Sequence, residues 1–191
     1  MIILGVDPGT LVTGFGVIDT ERGKHHVLGF DVIKNSGDKT MPIRLKHIYD
    51  RLCEVIEKFH PDEFAIETAF YGKNAQSALK LGHARGVAIL AAVNRQIPTA
   101  EYSPREVKKS VTGNGAAAKH QVQYMVMAQL KLREAPKLYD ATDALAVALC
   151  HSYRVQNGKI KSSGSKKTSG KTHKNWSNFI HTHPERIVKV K

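Results

Sequence analysis

The first 33 residues, MIILGVDPGTLVTGFGVIDTERGKHHVLGFDVI (1–33), contain three short apolar runs separated by turn-forming or polar residues. The first run occupies residues 1–7, ends in Asp7 and is followed by a Pro-Gly turn. The second and third, GFGVID and HHVLGFDVI, are rich in Val, Ile and Phe. Short apolar runs between turn segments are typical of strands, so we predict three strands connected as a meander.

After the meander, the spacing of apolar residues predicts alternating helices and strands. The first helix is expected over Pro42–Phe59, and the short apolar run FAIE, which closes on Glu67, predicts a fourth strand. The remaining predicted elements are a helix over Asn74–Gln96, a strand over Ile97–Tyr102, a short helix capped by Ser103, a helix over Ala117–Leu132 and a last helix over Asp140–Arg154. This order predicts an α/β architecture in which the meander joins two strand–helix–strand crossovers.

Positive charge is distributed unevenly along the 191-residue chain. The formal net charge of +12 favours a polyanionic partner. From residue 158 onward, eight Lys and Arg186 accompany a single acid, Glu185, among many Ser and Gly residues. We therefore predict one folded domain over residues 1–156 and a basic, largely disordered tail over residues 157–191. No apolar run approaches the length of a membrane span and the N-terminus lacks the form of a signal peptide, so we expect a cytoplasmic protein.

Two carboxylates, Asp140 and Asp143, stand at the start of the last predicted helix, YDATDALAVALCHSYR (139–154). Residues three apart lie on the same face of a helix. Taken alone, the pattern is typical of an N-cap at Asp140 with a second acid in the first turn, where it suits the helix dipole. A chemical role for the pair therefore needs support from elsewhere in the chain.

Asp7 and Glu67 supply that support, because each ends an apolar strand. The carboxyl edge of an open α/β sheet is where active sites form. If the two strands are neighbours, their ends lie about 5 Å apart, and two buried carboxylates then need a cation or a shared proton between them. The last helix can bring Asp140 and Asp143 to the same edge. Four carboxylates suit Mg²⁺ or Mn²⁺, and a pair of such ions would promote phosphodiester hydrolysis on a polyanion.

Four segments carry a resemblance to a known family, namely GVDPGT, FAIETAFYGKNAQSALKLGHARGVA, EYSPREVKKSVTGNGAAAKHQV and DATDALAVALCHS. In this order and spacing, from residue 1 to about residue 155, the chain resembles the RuvC family of Holliday junction resolvases. The resemblance implies a ribonuclease-H-like fold, with a mixed five-stranded sheet flanked by helices. It also implies a homodimer that cuts two opposed strands of a four-way DNA junction in recombination and repair. The expected cofactor is Mg²⁺, two ions per active site with Mn²⁺ as a substitute, and the family's catalytic, metal-binding acids fall on Asp7, Glu67, Asp140 and Asp143.

A further set of residues is predicted to contact DNA. Phe70 matches the family's stacking aromatic, and Tyr71 and Lys73 follow it in a loop-like segment. Aromatic side chains beside an active site can stack on unpaired bases, although packing against the core is the alternative for both aromatics. Lys108 and Lys119 match positions at which the family contacts phosphates.

The helix over Asn74–Gln96 contains Gly82 and Gly86 among Ala, Leu and Val residues, and two interpretations of it stay open. Its small residues can pack against a second copy of the chain, since a two-fold dimer would offer two equivalent sites to the two equivalent strands of a junction. The same residues can instead pack against the core of their own domain.

Three other functions are weighed against junction resolution. A related small nuclease family that processes ribosomal RNA precursors shares the strand-ending acids but lacks the stretch GKNAQSALKLGHARG. A non-catalytic junction-binding module would lack at least one of the four acids, and all four are present. Actin-like ATPases and sugar kinases share a motif similar to GVDPGT but need two such halves around a nucleotide. Docking of the branch-migration motor complex is a further expected partnership that the resemblance leaves open.

Overall fold

The structure is a computed structural model that describes residues 1–68, 75–134 and 138–158. The strands and helices follow one another in the order predicted from the sequence. The strands are β1 (Ile2–Asp7), β2 (Val12–Glu21), β3 (Lys24–Lys34), β4 (Glu63–Glu67) and β5 (Thr99–Tyr102). The helices are α1 (Met41–Phe59), α2 (Ala75–Val93), α3 (Pro104–Thr112), α4 (Lys119–Leu130) and α5 (Tyr139–Gln156). Ser103 caps α3 as expected, in a capping box with Glu106.

The five strands form one mixed sheet with the order β3-β2-β1-β4-β5. β1 pairs with β2 and β2 with β3 in antiparallel fashion, which confirms the predicted meander. β1 pairs with β4 and β4 with β5 in parallel fashion. The two strands that end in Asp7 and Glu67 are therefore neighbours, which is the condition for a shared site at their ends.

Each face of the sheet packs against a different set of helices. On β1, Ile3 belongs to a core formed with α3, α4 and α5, whereas Leu4 and Val6 belong to a core formed with α1 and α2. Side chains alternate between the faces of a strand, so Asp7 lies on the same face as Ile3. By the same alternation Glu67 shares the face of Ala65, which also belongs to the α5 side. Both acids are thus directed to the side of the sheet that α5 covers.

None of the helices in the described ranges is long and apolar enough to cross a membrane. The proposed boundary at residue 156 and the character of the tail stay predictions, because residues 159–191 lie outside the described part of the chain.

Candidate active site

The first two acids of the site lie side by side at the carboxyl edge of the sheet. In the parallel pair β1 and β4, Val6 is in register with Ile66, so the next residues along, Asp7 and Glu67, emerge together. Neighbouring strands are about 4.8 Å apart. Both acids are partly buried. The register therefore places two carboxylates next to each other under restricted access to solvent.

Helix α5 brings the other two acids to this edge by lying directly on the backbone of β2. Gly14 on β2 is the register partner of Asp7. A Cβ atom added at Gly14 would stand 1.9 Å from the carbonyl oxygen of Asp140, and one added at Gly16 would stand 2.7 Å from the Leu145 side chain. A side chain at Gly14 would therefore occupy the space of the helix backbone. The absence of that side chain is what allows the first turn of α5 to sit beside Asp7.

The prediction that Asp140 could be the N-cap of the last helix is wrong. The helix begins at Tyr139, its N-cap is Leu138 in an extended conformation with φ −120°, and no side-chain cap hydrogen bond is found among the described residues. Asp140 lies inside the first turn, because the backbone is already helical one residue earlier than the cap interpretation assumed. Its carboxylate is thus not committed to capping this helix.

Burial and like-charge repulsion raise the pKa of three of the four acids. Burial raises the pKa of Asp7 to about 8, and Glu67, Asp143 and Asp140 add to that rise through like-charge repulsion. Burial, followed by repulsion from Asp143, raises the pKa of Glu67 to about 7. The pKa of Asp143 is also raised, chiefly by burial and further by Asp140. With these pKa values Asp7 and Glu67 hold protons near neutral pH unless a further cation neutralises them.

Two lysines lie beside the cluster, and both were predicted from the sequence as phosphate contacts. The Nζ atom of Lys119 is 3.7 Å from Oδ2 of Asp143. Its positive charge opposes the effect of burial on the pKa of Asp7, Glu67 and Asp143, and Lys108 does the same for Glu67 and Asp143. The structure thus brings Lys108 and Lys119 to the acids, while their contact with DNA stays a prediction. The other predicted contacts, Phe70, Tyr71 and Lys73, lie in residues 69–74, outside the described ranges.

The donor set suits a hard divalent cation, since all four groups are carboxylates and their mutual repulsion would be relieved by positive charge. Within the described residues, which include all four acids, no group of three or more Asp, Glu, His or Cys side chains is already arranged closely enough to hold a metal ion. The chemistry of the site fits Mg²⁺ or Mn²⁺, and its present geometry is that of a cluster partly neutralised by lysine.

Sequence reasoning did not identify the glycines that seat α5 or the ion pair of Lys119 with Asp143. A signal for the glycines was present in the second strand, where Gly14 and Gly16 alternate with larger residues in GFG and so share a face. That spacing indicates a face on which a neighbouring backbone can approach closely. No comparable signal in the sequence links Lys119 to Asp143.

The strand order, the mixed pairing and the helices on both faces define the ribonuclease-H-like fold. The family model for the crossover junction endodeoxyribonuclease RuvC matches residues 3–151. The chain belongs to this family, as the resemblance of its four segments indicated.

Curated relatives agree with this assignment. RuvC of Salinibacter ruber is 46% identical over 187 residues, which cover 98% of this chain and 99% of the relative. RuvC of Tolumonas auensis is 56% identical over 155 residues, covering 81% of this chain and 88% of the relative. The resemblance noted from the sequence ended near residue 155, whereas the match to the Salinibacter protein continues into the basic segment that follows.

Solved structures show the same fold. RuvC of Thermus thermophilus in complex with a Holliday junction substrate superposes with a TM-score of 0.79 at 35% identity, covering 83% of this chain and 96% of that chain. The yeast mitochondrial Holliday junction resolvase has a TM-score of 0.54 at 13% identity, covering 81% of this chain and 82% of that chain. The second likeness concerns the fold alone.

Proposed function

We propose that this protein is a structure-selective endonuclease that resolves four-way DNA junctions in recombination and repair. The single observation that carries the proposal is the placement of Asp7 and Glu67 on adjacent strands beside the N-terminal end of α5, which bears Asp140 and Asp143. Membership in the RuvC family supports it, as does a relative from Thermus thermophilus that was solved with a Holliday junction substrate. The predicted cytoplasmic location belongs to the same proposal.

In this proposal the four acids hold two Mg²⁺ ions, for which Mn²⁺ can substitute. Such ions supply an activated water and stabilise the leaving oxygen of a phosphodiester displacement. The chain's own contribution is to fix the carboxylates on rigid elements. Asp7 and Glu67 are held by the register of two paired strands, and Asp140 is held by the contact of its backbone with Gly14. Restricted solvent access strengthens the electrostatic attraction between these carboxylates and a cation.

DNA is proposed to approach over the same edge of the sheet. Lys108 and Lys119 stand close enough to influence the acids electrostatically, and their ammonium groups would contact phosphates flanking the cut. Phe70, Tyr71 and Lys73 follow Glu67 closely in the sequence. We propose that Phe70 stacks on a base that is unpaired where the junction opens, with Tyr71 and Lys73 beside it.

A homodimer built on α2 is part of the proposal. The helix buries one row of alanines in the core, which agrees with the core interpretation. Its other side exposes Leu79 (62%), Leu90 (49%) and Val93 (51%). At Gly82 and Gly86 no atom of the described residues lies within 4 Å of the position that a Cβ would take. An exposed apolar row with two gaps suits close packing against a second copy of the same helix. Such a dimer would present two active sites to the two equivalent strands of a junction.

The proposal is tested by incubating the purified protein with a four-way junction, a Y-shaped DNA, a linear duplex and a structured ribosomal RNA precursor, with and without Mg²⁺. Paired, symmetric nicks that appear only in the four-way junction and only with the ion are expected. Cutting of the RNA in preference to the junction would instead support the related nuclease that processes ribosomal RNA precursors. Binding of the junction without cutting in any divalent ion would support a non-catalytic module. A role in docking the branch-migration motor complex is a separate proposal about partners.

A further inference from the structure

Lys119 is placed where a small movement of its side chain changes the charge of the proposed active site. It is the first residue of α4, and its side chain is 70% exposed although its Nζ atom lies 3.7 Å from Oδ2 of Asp143, which is 22% exposed. Among the ion pairs of the described ranges, this pair is the one that involves any of the four acids. An exposed lysine is therefore the direct counter-charge of a partly buried carboxylate.

The influence of this lysine extends beyond its partner. Its charge also acts on Asp7 and Glu67, the two acids at the strand ends. In this arrangement the ammonium group of Lys119 supplies positive charge that offsets the repulsion between the carboxylates.

We propose that Lys119 competes with the divalent ion for Asp143, so that ion binding displaces its ammonium group and frees it to bind a DNA phosphate. This inference rests on the proposed function, because it assumes that the four acids hold the ion. Two cations repel each other when they share one carboxylate at about 4 Å, so the ammonium group and the ion cannot both keep their best contact with Asp143.

The local structure allows this displacement without a movement of the backbone. The helix that carries Lys119 is anchored by Val122, Val126 and Leu130, which are buried in the core. Lysine has a flexible four-carbon stem, and the high exposure of this side chain leaves it free to turn outward. Only the side chain therefore needs to move, and the phosphate backbone of DNA at the same edge is the anion available to receive it.

Coupling of this kind is reciprocal. Ion binding would strengthen the contact of Lys119 with DNA, and a DNA phosphate that attracts the ammonium group would raise the affinity of the site for the ion. The protein without DNA would then hold the ion more weakly than its four acids alone allow, which limits loading of the site before the substrate is present.

The proposal is tested by measuring divalent-ion affinity in the protein alone, by calorimetric titration of Mg²⁺ and Mn²⁺ without DNA. Lys119→Ala should bind the ion roughly three- to ten-fold more tightly than the wild type, because it removes a competing partly exposed ion pair and a like charge. Lys109→Ala removes the same charge from an exposed position on the neighbouring helix α3 and should stay within about two-fold of the wild type. Lys119→Arg keeps the charge and should restore the weaker binding.

Equal affinities for the wild type and Lys119→Ala, or weaker binding by Lys119→Ala, would overturn the competition while leaving the proposed nuclease function in place. If the wild type binds neither ion and Asp7→Asn behaves identically, the metal site itself fails, and the competition fails with it. A gain in affinity for Lys109→Ala equal to that of Lys119→Ala would also overturn the proposal, because the effect would then reflect net charge alone.

Discussion

Asp7 combines partial burial with three acidic neighbours. Burial raises the pKa of its carboxyl to about 8, with Glu67, Asp143 and Asp140 adding to the rise. The ordinary value for an unfolded chain is 3.8. Between these two values the folded protein keeps a proton that the unfolded chain has lost, so the free energy of unfolding falls as the pH rises through this range. Asp7 is thus expected to destabilise the protein at neutral and alkaline pH when no cation is bound.

This expectation predicts that Asp7→Asn stabilises the ion-free protein. In the presence of a chelator near pH 8 the substitution should increase the free energy of unfolding by about 1–3 kcal/mol, since the amide needs neither a proton nor a counter-ion. The gain should shrink as the pH is lowered toward 5, where the wild-type carboxyl is protonated in the folded state. Thermal unfolding followed by circular dichroism measures both values.

Glu21→Gln is the matched control for this measurement, because Glu21 is 76% exposed at the end of β2. It should change the unfolding free energy by less than about 0.5 kcal/mol. An Asp7→Asn variant that melts at or below the wild-type melting temperature at pH 8 would show that the charge of Asp7 does not destabilise the folded protein.

The sequence predicts the location of a site residue best where pairing of the backbone alone fixes that location. Asp7 and Glu67 were found because each ends an apolar strand, and pairing of parallel strands brings such ends together. The cap assigned to Asp140 was wrong, because one residue of shift at a helix start changes a cap into a first-turn residue. The contact of Lys119 with Asp143 joins residues 24 positions apart through side-chain placement, which the pattern of apolar residues does not encode.

At the scale of elements, the close seating of α5 on β1 and β2 sets the geometry of the site. Gly5 as well as Gly14 would clash with the helix backbone if it carried a Cβ, since that atom would lie 2.2 Å from the carbonyl oxygen of Ala144. Backbone atoms cannot rotate away as a flexible side chain can. The helix therefore stays at its present distance only while these positions lack side chains.

Gly14→Ala is accordingly predicted to displace the N-terminal end of α5, with Asp140 and Asp143, from Asp7. Because a misplacement of about 1 Å can reduce catalysis about 10²-fold, junction cutting should fall by at least that factor, with an added overpacking cost of about 1–3 kcal/mol in unfolding free energy. Cutting rates and thermal unfolding measure the two effects. Gly37→Ala is the control and should leave both unchanged, because no atom of the described ranges lies within 4 Å of the Cβ that it would add. Cutting by Gly14→Ala at the wild-type rate would contradict the explanation that the missing side chain at Gly14 positions α5 for catalysis.

The elements themselves were largely predictable, because strand and helix periodicities differ and turn residues separate them. The surface against which each side of α2 packs could not be predicted, because both sides of this helix carry small or apolar residues. The structure buries Ala84 and Ala88 and leaves Leu79 and Leu90 exposed. The buried side of α2 therefore belongs to the core of its own domain. That the exposed side forms a dimer surface remains a prediction.

A double substitution on that exposed side tests the dimer. Leu79→Glu combined with Leu90→Glu should convert a dimer to a monomer, because like charges would face each other across the two-fold interface. Sedimentation velocity measures the change. Tyr124→Glu, at an apolar residue that is 71% exposed on α4, is the control and should leave the dimer intact. A monomeric wild type, or a double variant that remains dimeric, would show that α2 does not form the interface.

Positive charge is concentrated in the part of the sequence that follows α5. The chain carries a net charge of +12, and residues 158–191 contain eight Lys and one Arg against one Glu. The match to the Salinibacter relative covers 98% of this chain, so it includes most of this segment. Cationic residues of this density favour sequence-independent contact with DNA phosphates.

A chain ending at residue 157 is therefore predicted to fold and cut but to bind junctions less tightly. The slope of log affinity against log salt becomes shallower by about 0.9 for each phosphate that the protein no longer neutralises. We expect removal of the basic segment to reduce the slope by at least about 2, which corresponds to two or more phosphates. Fluorescence anisotropy at several salt concentrations measures it. An unchanged affinity and slope would assign the basic segment to another partner.

Junction cutting is proposed to depend on divalent ions held jointly by four acids, Asp7, Glu67, Asp140 and Asp143. The most direct measurement follows binding and cutting of one four-way junction by Asp7→Asn in Mg²⁺. We predict binding within about two-fold of the wild type and cutting reduced by at least about 10³-fold, because the substitution removes a charged ligand and leaves the DNA-binding surface intact. Cutting by Asp7→Asn at the wild-type rate would contradict the claim.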